Sequence, residues 1–217
     1  MLDNSPNLLG LIVAVGFIGL LPLAVVTMTG FLKISIVLFL LRNALGVQQM
    51  PPNMVLYGIA LVLTLYVTTP LISDVTSRLE EEQVQLQTTE DLARAAQLLE
   101  DPLKQHLLRF THPQERQFFL DGTNRLWPEQ ARQNLRDDDL SILVPAFVAS
   151  ELKRAFEIGF LLYLPFLIID IVVANILMTL GMIMVSPVLI SVPLKLFLFV
   201  AIDGWSRLMH GLILSYG

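Results

Sequence analysis

Apolar residues run in long uncharged blocks at both ends of this chain and thin out to a helical stripe in the middle. Asn4 to Leu32 is 29 residues without a charge, interrupted by Pro22; after Lys33 the pattern resumes from Ile34 to Leu41 and stops at Arg42-Asn43. Asn43 to Ser73 is a second uncharged stretch, 31 residues long, carrying Met50-Pro51-Pro52-Asn53 and then an apolar run to Thr69. A membrane crossing takes roughly 20 mostly apolar residues, so both stretches are long enough. The paired prolines lack amide donors and cannot continue a helix, which predicts a helical hairpin turning there. Apolar sequence returns at Leu140. Ile158 to Ile169 leads to Asp170, Ile171 to Leu194 gives 24 uncharged residues, and Lys195, Leu196 to Ile202, Asp203 and an apolar tail to Tyr216 follow. Pro187 and Pro193 bracket Val188 to Val192 and predict a turn between two more helices.

Between the blocks the period becomes that of a soluble helix. Leu92, Ala95, Ala96, Leu99, Leu103, Leu107 and Phe110 recur at spacings of three and four, with charges on the other face. Thr88 with Asp91 resembles a capping box, and Asp101-Pro102 reads as an N-cap and first turn, splitting the stripe into two helices. Phe118, Phe119, Leu126 and Trp127 are expected to add core, and Pro128 to open another helix. The expected architecture is all-α: hydrophobic hairpins over 1–73 and 140–217 flank a small soluble helical insert over 74–139. The two halves share no residue-level repeat, which speaks against an inverted-repeat transporter.

Charge follows the same partition. Asp74 to Asp139 holds 14 acidic and 8 basic residues, whereas the other 151 positions hold 5 and 6. With 54% hydrophobic and 15% charged residues overall, the chain departs from soluble composition, and a membrane-type frame with an acidic insert fits better than one globule. An acidic balance without a basic run argues against nucleic-acid binding. There is no cysteine, so disulfides and thiolate metal sites are excluded. Met1-Leu2-Asp3 lacks a positive n-region, and no removable signal peptide is expected. Arg42 favours an internal Pro-Pro turn and Lys153-Arg154 argues the other way; four crossings with that turn inside leave the insert and both termini outside.

The most informative residues are charges embedded in apolar sequence: Lys33, Asp170, Lys195 and Asp203, with Glu151 and Glu157 opening the second half. Each costs roughly 2.5–3.5 kcal/mol at mid-bilayer. They require snorkelling, pairing within the chain, or pairing between subunits that removes these helices from lipid. Lys195 with Glu151 of a neighbour, or second with Glu157, is the expected intersubunit pair; Asp170 and Asp203 could instead line a proton path. Met178, Met182 and Met184 beside Gly181 form a second constellation, read either as adaptable core filler or as a deformable constriction. Catalytic motifs are absent: there is no HExxH, GxSxG, P-loop or dinucleotide fingerprint. His106, His112 and His210 read as structural or surface histidines, with no metal or cofactor implied.

Three passages carry a resemblance. Leu41 to Asn53 reads LRNALGVQQMPPN, Phe156 to Asp170 reads FEIGFLLYLPFLIID, and GMIMVSP (Gly181 to Pro187) precedes VPLKLFLFVAIDGW (Val192 to Trp205). Together they resemble the FliP/YscR/SctR family, the export-gate subunit of type III secretion systems, over both hydrophobic halves. The Gly-Val-Gln-Gln and Val-Ser-Pro forms are more similar to injectisome members. The resemblance implies a bacterial inner-membrane protein assembling as a helical ring, a pentamer joined by SctS-like and SctT-like subunits. The ring would rise toward the periplasm, with the insert packed around its outside and secreted unfolded proteins passing through. It implies a methionine gasket at Met182 and Met184, with Met178 one turn earlier. Ile183 stands where many relatives have a third methionine, and is stiffer. A membrane transporter or ion channel working alone is the alternative.

Overall fold

Long apolar runs with few internal breakers leave helix as the regular structure that satisfies its own backbone, and the computed structural model contains only helices among its described residues. It describes residues 16, 19, 22–82, 89–133 and 135–217. In chain order the helices are α1 (Pro22–Met28), α2 (Phe31–Leu45), α3 (Asn53–Glu81), α4 (Thr89–Phe110), α5 (Pro113–Leu126), α6 (Glu129–Arg132), α7 (Leu140–Thr179), α8 (Val188–Ala201) and α9 (Gly204–Leu214). Most of the first apolar run before Pro22, and Thr88 of the expected capping box, lie outside the described residues. α3 and α7 are each long and apolar enough to cross a membrane, and the bent pairs α1–α2 (77°) and α8–α9 (64°) would make up to four crossings.

Packing divides the chain into two compact units, Met1–Gly30 with Thr68–Ser150 and Phe31–Val67 with Glu151–Gly217. In the first, Leu107 and Phe110 of α4 are buried, as are Ile142, Leu143, Ala146 and Phe147 on one face of α7. Ser150 ties the α4–α5 turn to α7: its Oγ donates to the Ala146 carbonyl at 2.7 Å and accepts the His112 N–H at 3.0 Å. The expected break at Asp101-Pro102 does not occur, because α4 continues through Pro102. An interior proline costs about 3 kcal/mol, and α4 carries it ahead of the buried Leu107 and Phe110. Pro128 does sit at the N-cap of the short α6. Phe118 and Leu126, expected in the core, are exposed; Phe118 lies two positions past Arg116, away from α5's buried Thr123, and Leu126 is its last residue.

His106 stacks edge-on against Phe110 at 5.1 Å and beside Phe147 at 6.4 Å, with Nε2 buried and without a hydrogen bond. Burial, then the nearby Arg109 charge, pushes its pKa below the ordinary 6.5. The unfolded chain therefore binds the proton more readily, and the stability gained from a neutral His106 is present above pH 6.5 and lost as pH falls below it. Thermal unfolding between pH 7.5 and 5 is expected to show a falling midpoint that His106→Leu flattens.

In the second unit α2 is the central element, with Ile34, Val37, Leu38, Leu41, Ala44 and Leu45 all buried. The paired prolines turn the chain between α2 and α3 as expected. Arg42 fastens that turn, its Nη1 donating to the Pro51 carbonyl at 3.2 Å and to Asn53 Oδ1 at 2.6 Å. Pro193 does not mark a turn: it lies inside α8, and the reversal falls before Pro187, the α8 N-cap. Pro193 is the sixth residue of α8, past the amides that lack partners at a helix start, so the helix continues at the cost of one i→i−4 bond. Gly46 ends α2 at φ +75°, and a Cβ there would lie 2.8 Å from Val192 Cγ2. Gly46→Ala is expected to cost about 1–2 kcal/mol for the left-handed backbone. Denaturation in detergent measures it, and adding Val192→Ala should recover only the loss due to the clash.

Candidate functional site: buried ionic pairs and a methionine turn

Two lysines from the apolar sequence are buried, and each meets a carboxylate of the same chain. Lys33 in the first turn of α2 and Glu151 of α7 are both 0% exposed, with Nζ 3.5 Å from Oε1. Lys33 Nζ makes no hydrogen bond; it lies 3.4 Å above the ring centroid of Tyr216, so charge and the ring's negative face hold it. The Tyr216 hydroxyl donates to Glu151 Oε2 at 2.5 Å, and Arg154, one turn along α7, brings Nη1 to 3.5 Å from Oε1. One carboxylate thus gathers two cations and a phenol.

Lys195, on the buried Ser191–Lys195–Phe199 stripe of α8, donates to Asp170 Oδ2 at 2.6 Å and to the Ala44 carbonyl at 3.0 Å. Ala44 lies in the last turn of α2, where carbonyls lack helical partners and carry the negative end of the dipole. Lys195 therefore neutralises a carboxylate and caps a helix at once. Within the chain Lys195 thus has Asp170 as its carboxylate, where the sequence pointed to Glu151 of a neighbouring subunit. Glu151 and Asp170 of one chain are nineteen residues apart on α7, roughly 28 Å, so within the chain one ammonium cannot serve both. Glu157 and Asp203 are exposed rather than buried. Asp203 is the α9 N-cap at φ 57°, where α8 bends into α9.

The methionines sit at the end of α7. The Met182 N–H bonds to the Leu177 carbonyl and the Gly181 N–H to the Met178 carbonyl, each at 3.0 Å, with Gly181 at φ +74°. This is a Schellman cap, and glycine is needed for its left-handed residue. It releases Met182, Ile183 and Met184 into the turn before Pro187; all three are exposed, Met184 fully, and Met178 is exposed on the last turn of α7. None is core filler within this chain. His112 serves through its backbone and His210 is exposed. Among the described residues no group of three or more His, Cys, Asp or Glu is placed to hold a metal.

Tyr216, Arg154 and the Ala44 carbonyl were not singled out in the sequence. A phenol in an otherwise apolar tail was the available signal for Tyr216; nothing local marks a helix-end carbonyl as the partner of a lysine 151 residues away.

Removing one member of the Lys33–Glu151 pair strands the other in a dry site. Lys33→Met or Glu151→Leu alone is expected to cost about 3–5 kcal/mol, and both together far less than the sum. A double-mutant cycle by denaturation in detergent measures this.

Comparison with known proteins gives a consistent picture. The FliP family model matches residues 14–212. The chain is 55% identical over 216 residues to "Probable translocation protein y4yL" of Sinorhizobium fredii, covering 100% of this chain and 97% of that one. It is 49% identical to "Yop proteins translocation protein R" of Yersinia pestis, with 98% of both chains covered. It is 42% identical to "Virulence protein YscR" of Salmonella typhimurium, covering 99% of this chain and 98% of the relative.

Proposed function

This chain belongs to the FliP family, and from that premise we propose that it is a core subunit of a type III secretion export apparatus. In this reading it forms the wall and methionine gasket of a pore that passes unfolded secretion substrates. Copies assemble as a ring, a pentamer by family resemblance, with SctS-like and SctT-like subunits. The assembly sits in the bacterial inner membrane and projects into the periplasm. The work is sealing and yielding rather than bond-making, and the proposal invokes no cofactor.

The observation that carries the reading is the exposed turn of Met182, Ile183 and Met184 behind its glycine cap. An apolar constriction resists wetting and ion passage. A thioether on three rotatable bonds yields to whatever chain displaces it, whereas Ile183 is stiff at χ1 and supplies shape more than compliance. Supporting it, α8 leaves Leu189, Leu194, Phe197 and Val200 uncovered, an apolar face of the kind that marks protein or membrane contact. Because Lys195 and Glu151 have ion-pair partners within the chain, the exposed Glu157 and Asp203 are the charges proposed to meet neighbouring subunits.

Replacing Met182 and Met184 by alanine tests the gasket. The expected result is unchanged co-purification with the SctS-like and SctT-like subunits and a raised leak of ions or small dyes. An assembled complex with an unaltered leak removes the gasket from the proposal.

A further inference from the structure

Arg207 is the one cation of the apolar α8–α9 pair apart from Lys195, and unlike Lys195 it meets no carboxylate among the described residues. Lys33 and Lys195 each have a carboxylate within 4 Å, and Arg42 has its two turn oxygens. Asp203, one turn before Arg207, is joined to it by a backbone hydrogen bond, its carbonyl accepting the Arg207 N–H at 3.1 Å, without an ion pair between the side chains. Arg207 is exposed, and it lines a cavity of about 430 Å³. Leu41 of α2, Leu162 and Phe166 of α7, Phe199 of α8 and Leu208 of α9 form its apolar walls. The volume falls in the range of small-molecule clefts, roughly 300–1,000 Å³, and is too small for a helix, which is about 10–12 Å across with its side chains.

We infer that this cleft binds an anionic phospholipid, one acyl chain lying against Leu162, Phe166 and Phe199 and the phosphate paired with Arg207. Charge complementarity selects the occupant. The walls reward methylenes, and the sole charge at the site demands an anion, best met by a planar guanidinium donating two hydrogen bonds to phosphate oxygens. Cationic side chains within a span are expensive unless paired or brought to the interface, and a headgroup phosphate achieves both. The site rests on the reading of α8–α9 as membrane-embedded; it does not depend on the gasket.

The test is native mass spectrometry of the detergent-purified full chain, delipidated and titrated with phosphatidylglycerol or phosphatidylcholine of identical acyl chains. Phosphatidylglycerol is expected to bind more tightly. Arg207→Gln should weaken it by about ten-fold or more, the scale of a lost charge-assisted contact, and leave phosphatidylcholine unchanged. Gly211→Trp, which fills the cleft, should reduce both. Equal binding of the two lipids, or an unchanged Arg207→Gln variant, overturns the inference. A crosslink between a cysteine at Gly211 and a second copy also overturns it, by making the cleft a protein contact. Membrane fractionation of each variant reports separately on whether the chain is membrane-embedded.

Discussion

Lys33 and Glu151 cannot be drawn apart in this fold without leaving a full charge where no water reaches. Neither side chain exposes any surface, so α2 and α7 are fixed at the height where ammonium, carboxylate and the Tyr216 ring meet. A hydrophobic interface alone permits sliding, because one leucine neighbour serves nearly as well as the next. An ion pair in a low-dielectric site does not, since each added ångström weakens a large attraction and no water replaces it. The register of the second unit follows from this pair.

Lys195 adds a second fixed point. By bonding Asp170 and the Ala44 carbonyl together it locates α8 against the end of α2, while Glu151 locates α7 against its beginning. The two clamps bind opposite ends of the same 15-residue helix, and between them Ile34, Val37, Leu38 and Leu41 are buried while Ile36, Phe39 and Leu40 are half-buried. Around this fixed core the outer faces of α7 and α8 remain apolar and uncovered, with Phe160, Leu161, Ile168, Leu189 and Phe197 all exposed. The ionic pairs thus give the unit internal definition and leave its exterior free to be defined by lipid or protein.

The sequence patterns were readable where the physics is local. Uninterrupted apolar length marked the long helices, the Pro-Pro pair marked the turn after α2, and isolated charges in greasy surroundings marked Lys33, Glu151, Asp170 and Lys195 as residues needing partners. Which partners they take is not local. Lys195 and Asp170 are separated by a turn whose position the prolines misstate: Pro193 fits within the first turns of α8 and Pro187 closes the loop. Once the reversal falls at Gly181 to Ser186, Lys195 runs back alongside the last turns of α7 and Asp170 comes within reach, while Glu151 does not. Asp203 and Glu157 differ from these four. A charge amid apolar sequence need not be buried within its own chain: Glu157 lies exposed on α7 and Asp203 exposed at the bend between α8 and α9.

The methionine turn inverts the usual logic of a core. Methionine generally fills gaps that better-shaped side chains leave; here a glycine cap ends the helix so that the side chains project into open space. An exposed apolar turn is a cost to an isolated chain, and it is retained only where something outside the chain makes use of it. The neighbouring features place limits on what that is. Gly181 and Pro187 bound the segment, so the turn is held between two helix ends while its side chains stand in open space. Ile183 narrows that freedom at the middle position, so compliance must come from the methionines on either side.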